Sequence, residues 1–311
     1  MQHQRLRVAT PLPGLGSRKL KRSITANNFT WIREQKMKKE EVRKVVRDGY
    51  AQVAKGGSSC CAPQTPCCCT TNTATDISKK IGYADEDIQS VPEGANLGLG
   101  CGNPVALASL QEGEVVLDLG SGAGFDCFLA ANKVGKTGKV IGVDMTPEMV
   151  EKARENARRG DYENIEFRLG EIENLPVADN HVDAIISNCV INLSPDKRKV
   201  FQEAFRVLKP GGRLMVSDMV MVSELPDSIK SSAAAYIGCL AGAIMQNEYL
   251  KAIESAGFKQ VSIIDEISSD YTPKDPILQT LANDPGISQA DLKKLGSSVR
   301  SIRVQATKPG K

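Results

Sequence analysis

The chain has 311 residues, of which 41% are apolar, and its formal net charge is +3. This length can hold one large α/β domain with additions, and no apolar run approaches the ~18–20 residues of a membrane span. The charge is uneven, because residues 1–36 carry a net charge of +7 and the remaining chain therefore carries −4. A mildly acidic core argues against nucleic acid as a substrate.

Residues 1–36 differ in composition from the rest of the chain. They combine prolines, glycines and scattered basic residues with Trp31, the only tryptophan. We expect a disordered or non-native extension ahead of Met37. The alternative is an organellar transit peptide, since the segment is rich in arginine and poor in acids.

Nine cysteines are many for this length, whereas there are only two histidines. No apolar secretory segment is visible near the N-terminus, so we expect a cytoplasmic protein, in which standing disulfides are disfavoured. The cysteines then favour thiol chemistry or metalloid binding, and a histidine-based zinc site is not expected.

An amphipathic helix is predicted over residues 38–54, where valines and Tyr50 recur at spacings of three and four. Residues 55–76 are predicted to form a mobile loop, and residues 77–100 begin with a short helix. The loop has no zinc-knuckle spacing, and its alternative interpretation is a cysteine-rich segment without a role. It contains Cys60, Cys61, Cys67, Cys68 and Cys69.

A strand, a glycine turn and a helix follow one another from Val115. Residues 115–119 are mostly apolar and predict a buried parallel strand. The next residues place three glycines, Gly120, Gly122 and Gly124, where a ligand can lie against bare backbone. Phe125 stands where a dinucleotide fingerprint has its third glycine, so the turn favours a ligand without a pyrophosphate.

Two acids accompany this turn. Asp118 lies two residues ahead of Gly120 and suits the cationic amino-acid end of a ligand. Asp144 ends the next predicted strand, Lys139–Asp144, at the position of a ribose-binding carboxylate. A Rossmann-type domain that uses a different nucleotide remains the alternative.

The remaining elements alternate and predict an α/β fold with a doubly wound, mostly parallel sheet. The predicted strands are Ile165–Leu169, Val182–Asn188, Gly211–Asp218, Val261–Ile267 and Ser301–Lys308. The predicted helices are Pro147–Arg159, Pro195–Val207, residues 226–245 and Asn247–Ala256. A polar stretch without assigned elements separates the last two strands.

Three cysteines that are distant in sequence are predicted to meet at the carboxyl edge of this sheet. Cys189 leaves the fourth strand directly after Asn188, while Cys101 precedes the first strand and Cys239 follows the fifth. Ligands bind at this edge in doubly wound sheets, and three thiolates suit a soft, three-coordinate centre such as trivalent arsenic. Cys127, by contrast, is interpreted as a small buried core residue.

The chain resembles the class I S-adenosylmethionine-dependent methyltransferases from about residue 92 to 308, and within them the arsenite methyltransferases. The motifs that carry the resemblance are Leu99-Gly-Cys-Gly102, Asp118-Leu-Gly-Ser-Gly-Ala-Gly-Phe-Asp-Cys127, Val143-Asp-Met-Thr146, Ser187-Asn-Cys-Val-Ile-Asn-Leu193 with Pro195-Asp196, and Cys239-Leu-Ala-Gly-Ala243. It implies a seven-stranded sheet in the order 3-2-1-4-5-7-6, with an antiparallel pair at one edge.

The resemblance also implies a site. Cys101, Cys189 and Cys239 would bind arsenic, and a fourth cysteine would come from the N-terminal loop, for which Cys61 is our candidate among five. S-adenosylmethionine would be bound by Asp118, Gly120, Ser121, Gly122 and Gly124 at its amino-acid end, by Asp144 at the ribose, by Met145, Glu171 and Ile172 around adenine, and by Asn188 near its reactive end.

The same resemblance implies the partners and the domain organisation. Arsenite or its thiol conjugates would be the substrate of a monomer, with thioredoxin or glutathione as reductant. The methyltransferase domain would span 101–311, after a helix and cysteine-rich loop at 37–100. The C-terminal domain of longer members is expected to be missing.

Two other functions remain open at this stage. One is methyl transfer to an organic acceptor such as a quinone, which requires a base or an apolar pocket; His181, the only histidine of the core region, is predicted to lie in a loop. The other is a non-enzymatic, metalloid-binding thiol protein.

Overall fold

The structure, a computed structural model, describes residues 39–56, 73–230, 232, 235, 240–268, 276–284 and 286–310. The predictions for residues 1–36, for the five loop cysteines and for Cys239 lie outside this range. Residues 37–311 form one compact unit. No described helix is long and apolar enough to cross a membrane.

Seven strands form one sheet, as predicted. They are β1 Val115–Leu119, β2 Lys139–Asp144, β3 Ile165–Leu169, β4 Val182–Asn188, β5 Leu208–Met221, β6 Lys259–Ser268 and β7 Val299–Thr307. The order is β3-β2-β1-β4-β5-β7-β6, which confirms the predicted topology. Strands β1 to β5 pair in parallel, and β7 pairs antiparallel with both β5 and β6.

Eleven helices are described, and those between the parallel strands are crossover connections. They are α1 Lys39–Ala54, α2 Thr73–Lys80, α3 Asp85–Gln89, α4 Pro104–Leu107, α5 Phe125–Val134, α6 Pro147–Arg159, α7 Lys197–Val207, α8 Asp227–Lys230, α9 Gln246–Ser255, α10 Pro276–Ala282 and α11 Gln289–Ser298. A short 3₁₀ helix, Ile191–Leu193, follows β4.

Hydrophobic residues cover both faces of the sheet. Successive side chains of a strand point to opposite faces, so Leu117 and Val116 of β1 belong to two different buried clusters. Their neighbours on β2, Ile141 and Val140, divide in the same way. The central strands are therefore continuous apolar runs, and their polar side chains lie near the strand ends.

The helix predicted over 226–245 is wrong for most of its described residues. Among the described residues of this range, Asp227–Lys230 and Ala235 are helical, while residues 240–245 form a turn and end in a parallel bridge between Met245 and Met221. The Met221 N–H donates a hydrogen bond of 2.9 Å to the Ile244 carbonyl. Backbone pairing with the end of β5 thus overrides the helix propensity of this small-residue segment.

Two other segments contain helix where loop was predicted. α2 begins at Thr73, within the predicted loop, and α10 and α11 lie in the polar stretch between β6 and β7. Ser288 caps α11, because its side chain accepts from Asp291 N while the Asp291 side chain accepts from Ser288 N. This capping box was a readable signal for the second helix.

Candidate active site

The glycine turn after β1 forms an open cradle. Gly120 and Ser121 donate their amide protons to the Val143 carbonyl, at 2.8 and 3.1 Å, so the turn is anchored to β2. Gly122 has φ +51°, and a Cβ atom there would meet nothing within 4 Å. The Ser121 hydroxyl is buried without a hydrogen-bond partner among the described residues. An open backbone turn beside an unsatisfied hydroxyl fits the amino-acid end of S-adenosylmethionine.

Asp144 borders the same cradle at the end of β2. Its carboxylate accepts hydrogen bonds from the amides of Gly122 at 3.0 Å and Thr146 at 2.8 Å. Burial raises the pKa of Asp144, while these two hydrogen bonds oppose the rise. The carboxylate thus ties the glycine turn to the second strand, at the place predicted for a ribose-binding acid.

Asp118 lies at the base of the turn and is buried. The Cys127 thiol donates to its carboxylate with an Sγ–Oδ2 distance of 3.2 Å. Burial, followed by the neighbouring Asp126 carboxylate, raises the pKa of Asp118 well above its usual value. Cys127 is fully buried in the core, in agreement with its predicted structural role, but its polar contact with Asp118 was not foreseen.

The three residues proposed around adenine follow β2 and β3. Met145 is half-buried and packs against the same buried cluster as Tyr50 and both described site cysteines. Ile172 is buried in the core. The Glu171 carboxylate lies 3.5 Å from the guanidinium Nε of Arg43, which links helix α1 to this part of the site.

Asn188 connects the end of β4 to the loop that carries Cys101. Its Oδ1 accepts from the Cys101 amide at 3.0 Å, and its Nδ2 donates to the Gly102 carbonyl at 2.8 Å. The same amide group lies 2.9 Å from the Tyr83 hydroxyl and 3.1 Å from the Asp126 carboxylate. The structure therefore shows Asn188 positioning Cys101, a role that the sequence did not predict.

The Cys101 loop can approach this closely because it is rich in glycine. Gly100 has φ +117°, and a Cβ atom there would lie 2.7 Å from the Asn188 side chain. The Cys101 carbonyl also accepts a 2.8 Å hydrogen bond from the Ser301 hydroxyl of β7. Both backbone polar groups of Cys101 are thus fixed, one by β4 and the other by β7.

Cys189 turns sharply out of the sheet. Its φ of +59° is in the left-handed region, which non-glycine residues adopt mainly at turns and functional sites. Its amide donates to the Ser217 carbonyl at 2.8 Å. The sulfur atoms of Cys101 and Cys189 and a carboxylate oxygen of Asp218 all lie within 4.8 Å of one another.

Asp218, predicted only as the last residue of a strand, is fully buried. Its Oδ1 accepts from the Asn192 side-chain amide at 2.8 Å and the Met219 amide at 2.9 Å, and its Oδ2 accepts from the Tyr249 hydroxyl at 3.0 Å. Burial raises the pKa of Asp218 to about 6 against these hydrogen bonds, so the group is ionised at neutral pH. Its position at the carboxyl end of a central strand was a signal that could have identified it.

Asp218→Asn is expected to stabilise the protein at neutral pH. The pKa of Asp218 is raised on folding, from 3.8 to about 6, so the stability with aspartate falls as pH rises through this window. An asparagine has no such penalty, and its advantage in unfolding free energy should be about 2–3 kcal/mol larger at pH 7.5 than at pH 4. Urea unfolding of both proteins at the two pH values tests this, and a pH-independent difference would contradict it.

The chain is similar in sequence to known methyltransferases. A sequence model of the methyltransferase domain matches residues 110–257. An arsenite methyltransferase from Halobacterium salinarum is 46% identical over 278 residues, covering 88% of this chain and 68% of the relative. The human arsenite methyltransferase is 38% identical over 232 residues, covering 70% of this chain and 58% of the relative.

A solved structure also matches at the level of the fold. The arsenic(III) S-adenosylmethionine methyltransferase from Chlamydomonas reinhardtii superposes with a TM-score of 0.56 at 33% identity, covering 76% of this chain and 73% of that one. On its strand order, its cradle and these similarities, the chain belongs to the arsenite methyltransferase family.

Proposed function

We propose that this protein transfers the methyl group of S-adenosylmethionine to trivalent arsenic held by cysteine thiolates. The observation that supports this most is that Cys101 and Cys189 lie close together at the carboxyl edge of the sheet. Cys101 precedes the glycine turn in the chain, whereas Cys189 follows it. Cys239 is proposed as the third thiolate and Cys61 as a loop thiol for arsenic delivery or for resolving an oxidised site; both lie outside the described residues.

Arsenic suits this pair of thiols because it binds soft thiolates and keeps a lone pair. In the proposed reaction the arsenic lone pair attacks the sulfonium methyl carbon in line, and no general base is required. The chain's contribution is orientation, and holding two reactants in near-attack geometry supplies about 7–11 kcal/mol of a barrier. Asn188, Gly102 and Ser301 serve this by fixing the backbone around Cys101.

The proposed cofactor set consists mainly of the glycine turn and residues at or after the ends of β2 and β3. Asp118, Gly120, Ser121, Gly122 and Gly124 would receive the amino-acid end, Asp144 the ribose hydroxyls, and Met145, Glu171 and Ile172 the adenine. Asn188 remains near the reactive end of S-adenosylmethionine in this proposal, and its side chain also holds the Cys101 loop, Tyr83 and Asp126. Thioredoxin or glutathione is proposed as the reductant.

The organic-acceptor alternative has little support at the described site. His181 is exposed and precedes β4 at its amino end, whereas the cradle and the thiols lie at the carboxyl ends of the strands. A simple assay separates the three candidate functions. Formation of S-adenosylhomocysteine that depends on arsenite supports the proposal. Formation that depends on a quinone would support methyl transfer to an organic acceptor. Tight arsenite binding without any formation of S-adenosylhomocysteine would support a non-enzymatic, metalloid-binding thiol protein.

Asp144→Ala is expected to weaken S-adenosylmethionine binding by about 1.5–3 kcal/mol, because charge-assisted hydrogen bonds to the ribose hydroxyls would be lost. Calorimetric titration measures this directly. Asp183→Ala is a suitable control, since this acid pairs with Lys209 near the opposite ends of the strands. Unchanged affinity of the Asp144 variant would remove this residue from the cofactor site.

A further inference from the structure

A buried carboxylate shares the pocket of the two described thiols. Asp218 has no exposed surface, and one of its oxygens lies within 4.8 Å of the sulfur atoms of both Cys101 and Cys189. Burying a charged group is costly unless it is well hydrogen-bonded. A carboxylate kept at this position therefore calls for a chemical explanation beyond packing.

The surroundings of Asp218 hold it in one orientation. The Asn192 side chain and the Met219 amide both donate to Oδ1, and the Tyr249 hydroxyl donates to Oδ2. All three neighbours are donors, which is the pattern that an ionised, acceptor-only carboxylate requires. Oδ1 accepts two of these hydrogen bonds and Oδ2 accepts the third, and one carboxylate oxygen lies within 4.8 Å of both sulfur atoms, so the charge of Asp218 is placed beside the thiols.

Methyl transfer to arsenic, on which this inference rests, moves a positive charge from the cofactor's sulfur to the arsenic atom. The arsenic lone pair forms the As–C bond while the C–S bond breaks and its electron pair stays on sulfur. The sulfonium becomes a neutral thioether, and arsenic, formally oxidised from trivalent to pentavalent, becomes a tetracoordinate cation. No proton and no external electron is needed, but the charge arrives at the atom held by the thiolates.

We propose that Asp218 stabilises the positive charge that develops on arsenic during methyl transfer. A fixed negative charge a few ångströms away, on a carboxylate that is itself fully buried, favours the charged transition state without reorganisation. The role differs from that of an arsenic ligand, since it acts through charge and leaves arsenite affinity to the thiols. It also explains why the carboxylate is braced by three donors.

The test compares Asp218→Asn with Tyr249→Phe. Asparagine can accept from Asn192 and Met219 and donate to the Tyr249 oxygen, so it keeps the shape of the site and removes the charge. Tyr249→Phe keeps the charge and removes one hydrogen bond. Arsenite affinity is measured by equilibrium dialysis, and the methyl-transfer rate is measured in a single turnover of arsenite-loaded protein.

We expect Asp218→Asn to slow the single turnover by about ten- to a hundredfold, with arsenite affinity unchanged within about twofold, whereas Tyr249→Phe slows it by less than about fivefold. A binding experiment without turnover provides a second readout. Sinefungin carries an ammonium group where S-adenosylhomocysteine has a neutral thioether, so only its affinity should fall in Asp218→Asn, by about threefold or more.

Three results would overturn the proposal. An unchanged single-turnover rate in Asp218→Asn would show that the charge of Asp218 does not stabilise the transition state. Loss of arsenite binding makes Asp218 a ligand instead. An equal change in the affinities for sinefungin and S-adenosylhomocysteine shows that its charge does not reach the methyl position. If the unmodified protein methylates no arsenic, the proposed function fails, and the sinefungin comparison still reports separately on the field of Asp218.

Discussion

Cys189→Ser is expected to abolish arsenite methylation while S-adenosylmethionine affinity remains. Serine is similar in size, but its hydroxyl is a hard, neutral ligand, so a soft arsenic centre loses one of its thiolates. The Cys189 sulfur lies beside Cys101 and Asp218 at the site, and the Cys189 amide is held by the Ser217 carbonyl of β5, whereas the glycine turn is anchored to Val143 of β2. Cys239→Ser is expected to behave in the same way.

Cys127→Ser is the matched control for these variants. Its thiol is fully buried, and a serine hydroxyl can still donate to Asp118, so most of the activity should remain. Methylation rates and calorimetric cofactor affinities of the three variants are compared at the same arsenite concentration. Full activity of Cys189→Ser would overturn the thiolate site, and loss of cofactor binding would show that the substitution disturbs the fold.

Asn188→Ala is expected to lower both the stability of the protein and its affinity for arsenite. The substitution leaves the Cys101 amide and the Gly102 carbonyl without their partner and removes a donor from the Asp126 carboxylate. Unsatisfied buried groups cost about 1–3 kcal/mol each, so the unfolding free energy should fall by about 2–4 kcal/mol after partial relaxation. Arsenite affinity should fall at least about tenfold, because Cys101 is no longer preorganised opposite Cys189.

A second asparagine separates the two effects. Asn164→Ala removes hydrogen bonds from Nδ2 to the Gly135 carbonyl at 2.9 Å and to the Ala131 carbonyl at 3.5 Å, close to the amino ends of the strands. It should cost stability without changing arsenite affinity. Urea unfolding and equilibrium dialysis supply the two numbers. If Asn188→Ala binds arsenite as tightly as the unmodified protein, the proposed positioning of Cys101 is wrong.

The parallel part of the fold could be predicted because each strand has an unambiguous local pattern. β1, β2 and β4 are short apolar runs bounded by glycines or polar residues, and their predicted bounds agree with the structure. The order of the strands came from the family resemblance. β5 extends three residues beyond its predicted start and end, to Leu208 and Met221. Leu208 pairs with Val182 of β4, and Met221 pairs with Val299 of β7.

The sequence located the described thiols but not what holds them. The pairing of β4 with β1 and β5 places Cys189 at the carboxyl edge of the sheet, and the sulfur atoms of Cys101 and Cys189 lie within 4.8 Å of each other. The contacts of Asn188 with a loop 86 residues earlier in the chain depend on tertiary geometry, which has no local signal. Asp218 and Tyr249 were missed for the same reason, since they meet only across β5 and α9.

Arsenic speciation with isotopically labelled cofactor tests the central proposal most directly. The full-length protein is incubated with arsenite, a thiol reductant and S-adenosylmethionine carrying a CD₃ methyl group, and the arsenic species are separated and analysed by mass spectrometry. The proposal predicts CD₃-labelled methylarsenic in amounts equal to the S-adenosylhomocysteine formed, and none with Cys189→Ser. S-adenosylhomocysteine formation without any labelled arsenic species would contradict it.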